Sequence, residues 1–206
     1  MTPPPAAHAL YTLLADRHSI RRYTPTPVPL ATLDRLLTAA TTAPSAHNRQ
    51  PWRFSIITQP NHKAALATAM GDRLRADRTA DGDDPATITA DVTRAYTRLT
   101  TAPVLILVAL TLADMDHYPD DHRNHLEYLM AVQSTAMAGA YLLLAAAAEG
   151  LAACWLCAPL FAPEQAAAAL NLPPGWQPQA LITLGYPAAD PRPRPRKPLP
   201  QITHHP

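Results

Sequence analysis

The chain passes from a helical pattern to a strand pattern at Ala43-Pro44-Ser45-Ala46-His47-Asn48-Arg49-Gln50-Pro51-Trp52-Arg53-Phe54. The residues between the two patterns are small or carry amides, and two prolines fix the backbone around them. Such a loop leaves backbone N–H groups free and presents Ser45, Asn48 and Gln50 as hydrogen-bonding side chains. The stretch therefore fits either a loop that holds the edge of a flat heterocycle or a polar connection with no further role.

A second polar element lies upstream, at Arg17-His18-Ser19-Ile20-Arg21-Arg22-Tyr23. Guanidinium groups bind phosphate oxygens through paired hydrogen bonds, so three arginines and a hydroxyl could hold a phosphate. Taken alone, this arginine stretch (17–23) also fits a solvated basic turn.

Length and composition favour one globular domain over residues 1–206 with a sizeable core. A net charge of +1 gives no general attraction for nucleic acid or anionic membranes, so any anion must be bound locally. The start of the chain has no signal-peptide pattern, and two cysteines do not indicate a disulfide scaffold. We therefore expect a cytoplasmic protein. Residues 187–206, rich in proline and arginine at first, are predicted to form an extended C-terminal arm.

Hydrophobic spacing predicts an α+β fold with a mixed central sheet flanked by helices. The continuous apolar run Val104–Leu110 is typical of a strand buried on both faces. Helices are predicted over 6–16, 30–42, 61–79, 86–99, 124–148 and 163–170, and strands over 52–58, 104–110, 151–156 and 179–185.

The longest predicted helix carries no formal charge from Ala131 to Ala148, so a membrane span has to be considered. Polar residues at 133–135 and the absence of a basic residue at its C-terminal end favour a buried core helix instead. Gly150 is the expected end of this helix. Its small residues would let another backbone approach closely, so we expect it at a subunit interface.

Two further groups of residues could carry chemistry. Cys154 and Cys157 have the spacing of a redox or metal pair, but they lie in an apolar strand pattern, which favours two buried structural thiols. The histidines and aspartates of 116–125 could bind a metal, but they also fit a hydrated loop that enters a helix. We expect no metal site.

The two polar stretches, in this order, resemble the FMN-dependent nitroreductase superfamily, whose members carry Arg-x-Ser-x-Arg and Pro-Ser-x-x-Asn-x-Gln-Pro-Trp-x-Phe elements. The resemblance implies a nitroreductase-like fold and an intertwined homodimer with FMN bound between the subunits. The stretch Gly150 to Trp155 is similar to the superfamily's Gly-Leu-Gly-x-x-Trp pattern, with Ala152 in place of the second glycine.

A narrower resemblance covers about residues 15–200. The stretches 75–82, 116–120, 150–155 and 170–178 resemble the flavin domain fused to the glutamate ligase of deazaflavin coenzyme (F-420) synthesis, here without the ligase. This resemblance implies a set of FMN-binding residues, with Asp77 in contact with the deazaflavin substrate. The implied FMN-binding residues are Arg17, His18, Ser19, Ile20, Arg21, Ser45, Cys157 and Arg196. Without the resemblance, Asp77 fits equally a surface carboxylate paired with neighbouring arginines.

The implied function is reduction of the dehydro form of coenzyme F-420 by an FMN enzyme, with the glutamate ligase as a possible partner. FMN carries the hydride, so no side chain is expected to be a catalytic residue. Two alternatives remain: a general NAD(P)H-dependent nitro- or quinone reductase, and a non-catalytic flavin or deazaflavin carrier.

Overall fold

The six helices and four strands expected from the sequence are all present in a computed structural model, which describes residues 4–191 and 194–205. The helices are α1 (Pro5–Asp16), α2 (Leu30–Thr41), α3 (Pro60–Ala80), α4 (Pro85–Thr101), α5 (Asp121–Ala148) and α6 (Pro163–Ala169). The strands are β1 (Trp52–Ile57), β2 (Val104–Leu110), β3 (Ala152–Leu156) and β4 (Gln177–Gly185). Short 3₁₀ turns lie at Ala46–Asn48, Ala158–Phe161 and Leu199–Gln201.

Proline sets where most of the helices begin. α1, α3, α4 and α6 each have proline as their first residue, where the missing N–H has no helical partner in any case. The high proline content therefore marks helix boundaries and does not interrupt the helices.

The strands form one sheet in the order β1-β2-β4-β3, and its three ladders are antiparallel. The expectation of a mixed sheet is therefore wrong for the described strands, and a parallel contact occurs there only as an isolated bridge between Ser19 and Ala153. The arginine stretch thus lies against the edge strand β3 without forming a strand itself.

β2 is the centre of the core, and all seven of its residues are buried, as the apolar run predicted. Because side chains alternate along a strand, Val104, Ile106 and Val108 face a cluster with α2 and α5. Leu105 and Leu107 face a second cluster with α3 and α6. Helices cover both sides of the sheet, so the α+β prediction is confirmed.

α5 begins and ends as the sequence indicates. Asp120 caps its first turn by accepting a hydrogen bond from the Arg123 N–H at 2.9 Å, and this bond lowers the pKa of Asp120. At the other end Gly150 has φ 72°, and the Leu151 N–H bonds to the Ala146 carbonyl at 2.8 Å, which is a Schellman motif. The loop interpretation of 116–125 is therefore confirmed.

Of the described helices, α5 is the one long and apolar enough to span a membrane by length and composition. One face of α5 packs in the core through Ala131, Ala138 and Leu142, each fully buried, which agrees with a core helix. The opposite face leaves Leu126, Leu129, Met137 and Tyr141 between 37% and 43% exposed.

α1 lies on the outside of the fold. None of its residues is buried, and Leu10, Tyr11 and Leu14 are 49%, 61% and 46% exposed. α1 and the outer face of α5 thus both present large apolar side chains to solvent.

Candidate functional site

The arginine stretch is held in place by Tyr23. The phenolic oxygen of Tyr23 lies 2.7 Å from the Ile20 carbonyl, 3.0 Å from the Thr183 carbonyl and 2.6 Å from the Thr183 Oγ1. Burial raises the pKa of Tyr23 well above its ordinary value. On either side the backbone of the stretch pairs with the segment after β4, where the Ala188 N–H bonds to the Arg22 carbonyl at 3.0 Å.

This stretch and the C-terminal arm together line a cavity of about 550 Å³, here named the arginine cavity. Its wall includes five residues predicted from the sequence, 17–21, and also the predicted Arg196 of the arm. Its lining residues are Arg17, His18, Ser19, Ile20, Arg21, Arg22, Ala189, Asp190, Pro191, Arg194 and Arg196. Two ends of the chain separated by about 175 residues of sequence thus meet at one site.

The arginines of this cavity form no ion pair in the part of the chain that the structure describes, although Asp190 lines the same cavity. Among residues 4–191 and 194–205, no acidic side chain lies within 4.0 Å of the guanidinium groups of Arg17, Arg21, Arg22, Arg194 or Arg196. Like charges held together repel, and the hydroxyl of Ser19 adds a donor beside them. The site therefore has the donor groups and charge that a phosphate monoester requires.

A second cavity, of about 480 Å³, contains both Asp77 and Cys157 and is here named the Asp77 cavity. Its walls are mainly apolar, with side chains that include Met70, Leu74, Leu99, Trp155 and Phe161. Asp77 binds Arg73 through both carboxylate oxygens at 2.8 Å, which is the ion pair that the surface interpretation of Asp77 predicted. Asp77 thus lies in a cavity and is paired at the same time; its contact with substrate stays a prediction.

The two cysteines differ, and the expectation of two buried thiols is wrong for Cys157. Cys154 is fully buried, and burial raises the pKa of its thiol, an effect partly offset by nearby Arg21 and Arg98. Cys157 is exposed because β3 ends at Leu156 and the chain turns outward into the 3₁₀ turn. Its sulfur accepts a hydrogen bond from the Trp155 indole N–H at 3.2 Å.

Arg98 is a site residue that the sequence analysis missed. It lies in the last turn of α4, lines the Asp77 cavity, and is close enough to Cys154 and Tyr23 to act on their pKa values, as Arg21 does. It thus stands between the two cavities. No carboxylate of the described residues lies within 4.0 Å of it. From sequence alone, arginine in the last turn of a helix is favoured by the helix dipole and gives no signal of function.

The proline–serine loop, residues 43–51, has an unusual backbone. His47, Asn48 and Gln50 have φ values of 49°, 55° and 49°, in the left-handed region that favours glycine. Ser45 Oγ accepts a hydrogen bond from the Gln50 N–H at 3.1 Å. A hydroxyl has one donor and two acceptor positions, so Ser45 keeps its O–H for another partner.

Ser45 is not brought to the other predicted residues within one subunit. Of the described residues that line the arginine and Asp77 cavities, none belongs to the proline–serine loop. The single chain therefore assembles the predicted Arg17–Arg21, Cys157, Asp77 and Arg196 around α4 and β3, and leaves Ser45 elsewhere.

Comparison with known proteins identifies the family. The sequence model of the Nitroreductase family matches residues 14–186. The chain belongs to the nitroreductase family. This membership confirms the resemblance to the nitroreductase superfamily and the expected nitroreductase-like fold. The narrower resemblance to the flavin domain of deazaflavin coenzyme synthesis stays a prediction.

Relatives of this nitroreductase-family chain cover nearly its full length. An NADH dehydrogenase from Thermus thermophilus is 29% identical over 93% of this chain and 93% of its own. A nitroreductase from Desulfovibrio desulfuricans, solved in complex with FMN, has a TM-score of 0.72, 26% identity, and covers 100% of this chain and 99% of its own. An iodotyrosine deiodinase solved with FMN and 3-iodo-L-tyrosine has a TM-score of 0.71, 26% identity, and covers 92% and 95%. FMN, the cofactor expected from the sequence, is thus the flavin bound by two similar structures.

Proposed function

We propose that this chain is an FMN-dependent oxidoreductase that takes electron pairs from NADH or NADPH and passes them to an aromatic acceptor such as a quinone or a nitro compound. The observation that carries the proposal is the arginine cavity, which five arginines line without an ion pair to any carboxylate of the described residues, including Asp190 of the same wall. FMN supplies the two-electron chemistry when it is bound.

In this proposal each part of the site has a separate task. Arg17, Arg21 and Arg196 would bind the phosphate, and Ser19 would donate a hydrogen bond to it. Arg98 and Cys157, the residue after β3, would contact the flavin ring. The apolar wall of the Asp77 cavity excludes water and offers a surface for a flat acceptor.

The proposed assembly is a homodimer in which a second copy supplies Ser45. The exposed apolar residues of α1 and of the outer face of α5 support this arrangement, since burying them would stabilise an interface. The location of Ser45 outside both cavities supports it too, because the loop can meet the flavin from the other subunit. We place the protein in the cytoplasm, where reduced nicotinamides are available and where the two free cysteines would stay reduced.

Reconstitution with FMN followed by steady-state kinetics tests the proposal. We expect about one FMN per subunit and initial-rate lines that are parallel in a double-reciprocal plot, as for two half-reactions at one site. Protein that binds no FMN after incubation, or that transfers no electrons from either nucleotide, would contradict it.

Reduction of the dehydro form of coenzyme F-420 is a second candidate function. Asp77 shares a cavity with Cys157, and Arg73, Arg78 and Arg98 line the same space, where they could bind an acidic tail. Stopped-flow mixing of the reduced protein with the dehydro coenzyme tests it. Oxidation no faster than by oxygen in the buffer would exclude this substrate and leave the general reductase in place.

A further inference from the structure

The proline–serine loop contains backbone conformations that its own residues do not favour. Left-handed φ values at His47, Asn48 and Gln50 cost conformational free energy, because none of these residues is glycine. Such a conformation persists only where surrounding contacts hold it. The contacts that hold the loop therefore decide where Ser45 lies.

One of these contacts comes from the core. Ser134 of α5 is 2% exposed, and its Oγ donates to the Met130 carbonyl at 2.7 Å and accepts from the Ala46 N–H at 3.2 Å. Ala46 directly follows Ser45. The hydroxyl of Ser134 thus joins the start of the loop to a rigid helix.

Both ends of the loop also contact the core, but between those ends the other contacts of the loop are more exposed or lie within it. Arg49 pairs with Asp116 at 2.5 Å, but the two side chains are 39% and 43% exposed, so salt screens this pair. The bond from the Gln50 N–H to Ser45 Oγ joins two loop residues and cannot fix the loop relative to the core. Between the two ends of the loop, the buried bond to Ser134 is the contact best placed to do so.

We infer that Ser134 is a positioning residue, which holds the proline–serine loop in the conformation that presents the Ser45 hydroxyl to the flavin. This inference rests on the proposed function. Ser134 lines neither cavity and acts through the Ala46 N–H. The only proton of the Ser134 hydroxyl is already donated to Met130, so Ser134 has no donor left for a ligand.

The neighbouring residue provides a matched control. Thr135 is fully buried, and its Oγ1 has no hydrogen-bond partner among the described residues. Thr135→Val removes a hydroxyl from the same turn of α5 at constant size and leaves the loop contact intact. Ser134→Ala removes the hydroxyl that meets the loop, and Ser134→Cys keeps the size of the side chain with weaker hydrogen bonds.

The experiment compares these three variants with the wild type by two measurements. Hydrogen exchange of the protein without FMN reports on the amides of residues 46–50, and a fluorescence titration gives the dissociation constant for FMN. We expect Ser134→Ala to speed exchange in the loop, to weaken FMN binding roughly fivefold to tenfold, and to change the visible circular dichroism of the bound flavin. Ser134→Cys should be intermediate, and Thr135→Val should match the wild type in every measurement.

Two results would overturn the inference. Loop exchange in Ser134→Ala equal to that in Thr135→Val would show that Ser134 does not hold the loop. Faster exchange with unchanged FMN affinity and dichroism would show that the held conformation does not serve the flavin. A wild-type protein without affinity for FMN would instead overturn the proposed function, and loop exchange alone would then decide whether Ser134 positions the loop.

Discussion

Two groups of arginines in this molecule differ in whether they form ion pairs with aspartates. On the α3–α4 hairpin, Arg73 pairs with Asp77, Arg78 pairs with Asp83 and Asp91, and Arg94 pairs with Asp91. In the arginine cavity, five arginines have no such partner among the described residues. An arginine paired with an aspartate adds no net charge to its surroundings. The unpaired arginines repel one another unless a bound anion neutralises them. We therefore expect the unpaired arginines to lower the stability of the protein without a bound anion.

Arg21→Ala is the strongest test of this difference. We expect FMN affinity to fall roughly tenfold to a hundredfold, because a charge-assisted hydrogen bond contributes about 1.5–3 kcal/mol. The thermal midpoint of the protein without FMN should stay constant or rise, because a repelling charge has been removed. Equilibrium dialysis and differential scanning fluorimetry measure the two quantities. Unchanged FMN retention would mean that the arginine stretch has been misassigned.

Tyr23→Phe tests the support beneath the unpaired arginines. The change leaves Thr183 without its phenolic partner, so we expect a loss of about 1–2 kcal/mol in the free energy of unfolding at neutral pH. FMN affinity should fall less than for Arg21→Ala, because every guanidinium group remains. Urea titration of both proteins gives the difference, and equal stability would contradict the anchoring role.

The difference in unfolding free energy between wild type and Tyr23→Phe should change with pH in one direction. The folded protein raises the pKa of Tyr23 by burial, so the unfolded chain loses the proton first as the pH rises above about 10. The contribution of Tyr23 to the free energy of unfolding is therefore complete below about pH 10 and is lost as the pH rises further. The gap between wild type and Tyr23→Phe should narrow in alkaline buffer; a gap that widens would contradict burial as the cause.

Arg98→Gln tests whether an unpaired arginine outside the arginine cavity belongs to the same site. Since Arg98 stands beside Cys154 with Arg21 but lines the Asp77 cavity, we expect FMN affinity to fall roughly threefold to tenfold. Arg98→Gln should also lower the midpoint potential of the bound flavin, because a positive charge beside the ring favours the reduced form. Arg75→Gln is a suitable control, because Arg75 is exposed on α3 and lines neither cavity. Equal effects of the two changes would remove Arg98 from the site.

The sequence could predict what depends on local patterns. The continuous apolar run Val104–Leu110 and Gly150 after α5 each act over a few residues, and both were placed correctly. The arginine stretch was visible for the same reason, since Arg-x-Ser-x-Arg is a contiguous motif.

What the sequence could not predict depends on how the chain turns after a strand and on which residues meet. β3 ends at Leu156 as predicted, but the exposure of Cys157 follows from the outward turn of the chain after it, which the apolar pattern does not reveal. Arg98 and Ser134 belong to helices with ordinary patterns, and only the packing of α4 and α5 against other elements gives them a role. Likewise, the pairing of Asp77 with Arg73 was one of two predictions that the sequence left open.

Arg35→Ala should give the smallest effect, and it tests a paired arginine outside the α3–α4 hairpin, on α2. Arg35 binds both carboxylate oxygens of Glu149, at 2.7 and 2.8 Å, and so joins α2 to the end of α5. We expect Arg35→Ala to lower the urea midpoint slightly at neutral pH. Molar salt should make this difference from the wild type smaller still, and FMN affinity should not change.

The hydrogen bond from Arg35 lowers the pKa of Glu149, so the pair stabilises the fold above the pKa of the unfolded carboxyl and loses that effect as the pH falls. The difference between wild type and Arg35→Ala should therefore disappear in acid. If Arg35→Ala instead released FMN as Arg21→Ala is expected to do, the division between paired and unpaired arginines would have no functional meaning.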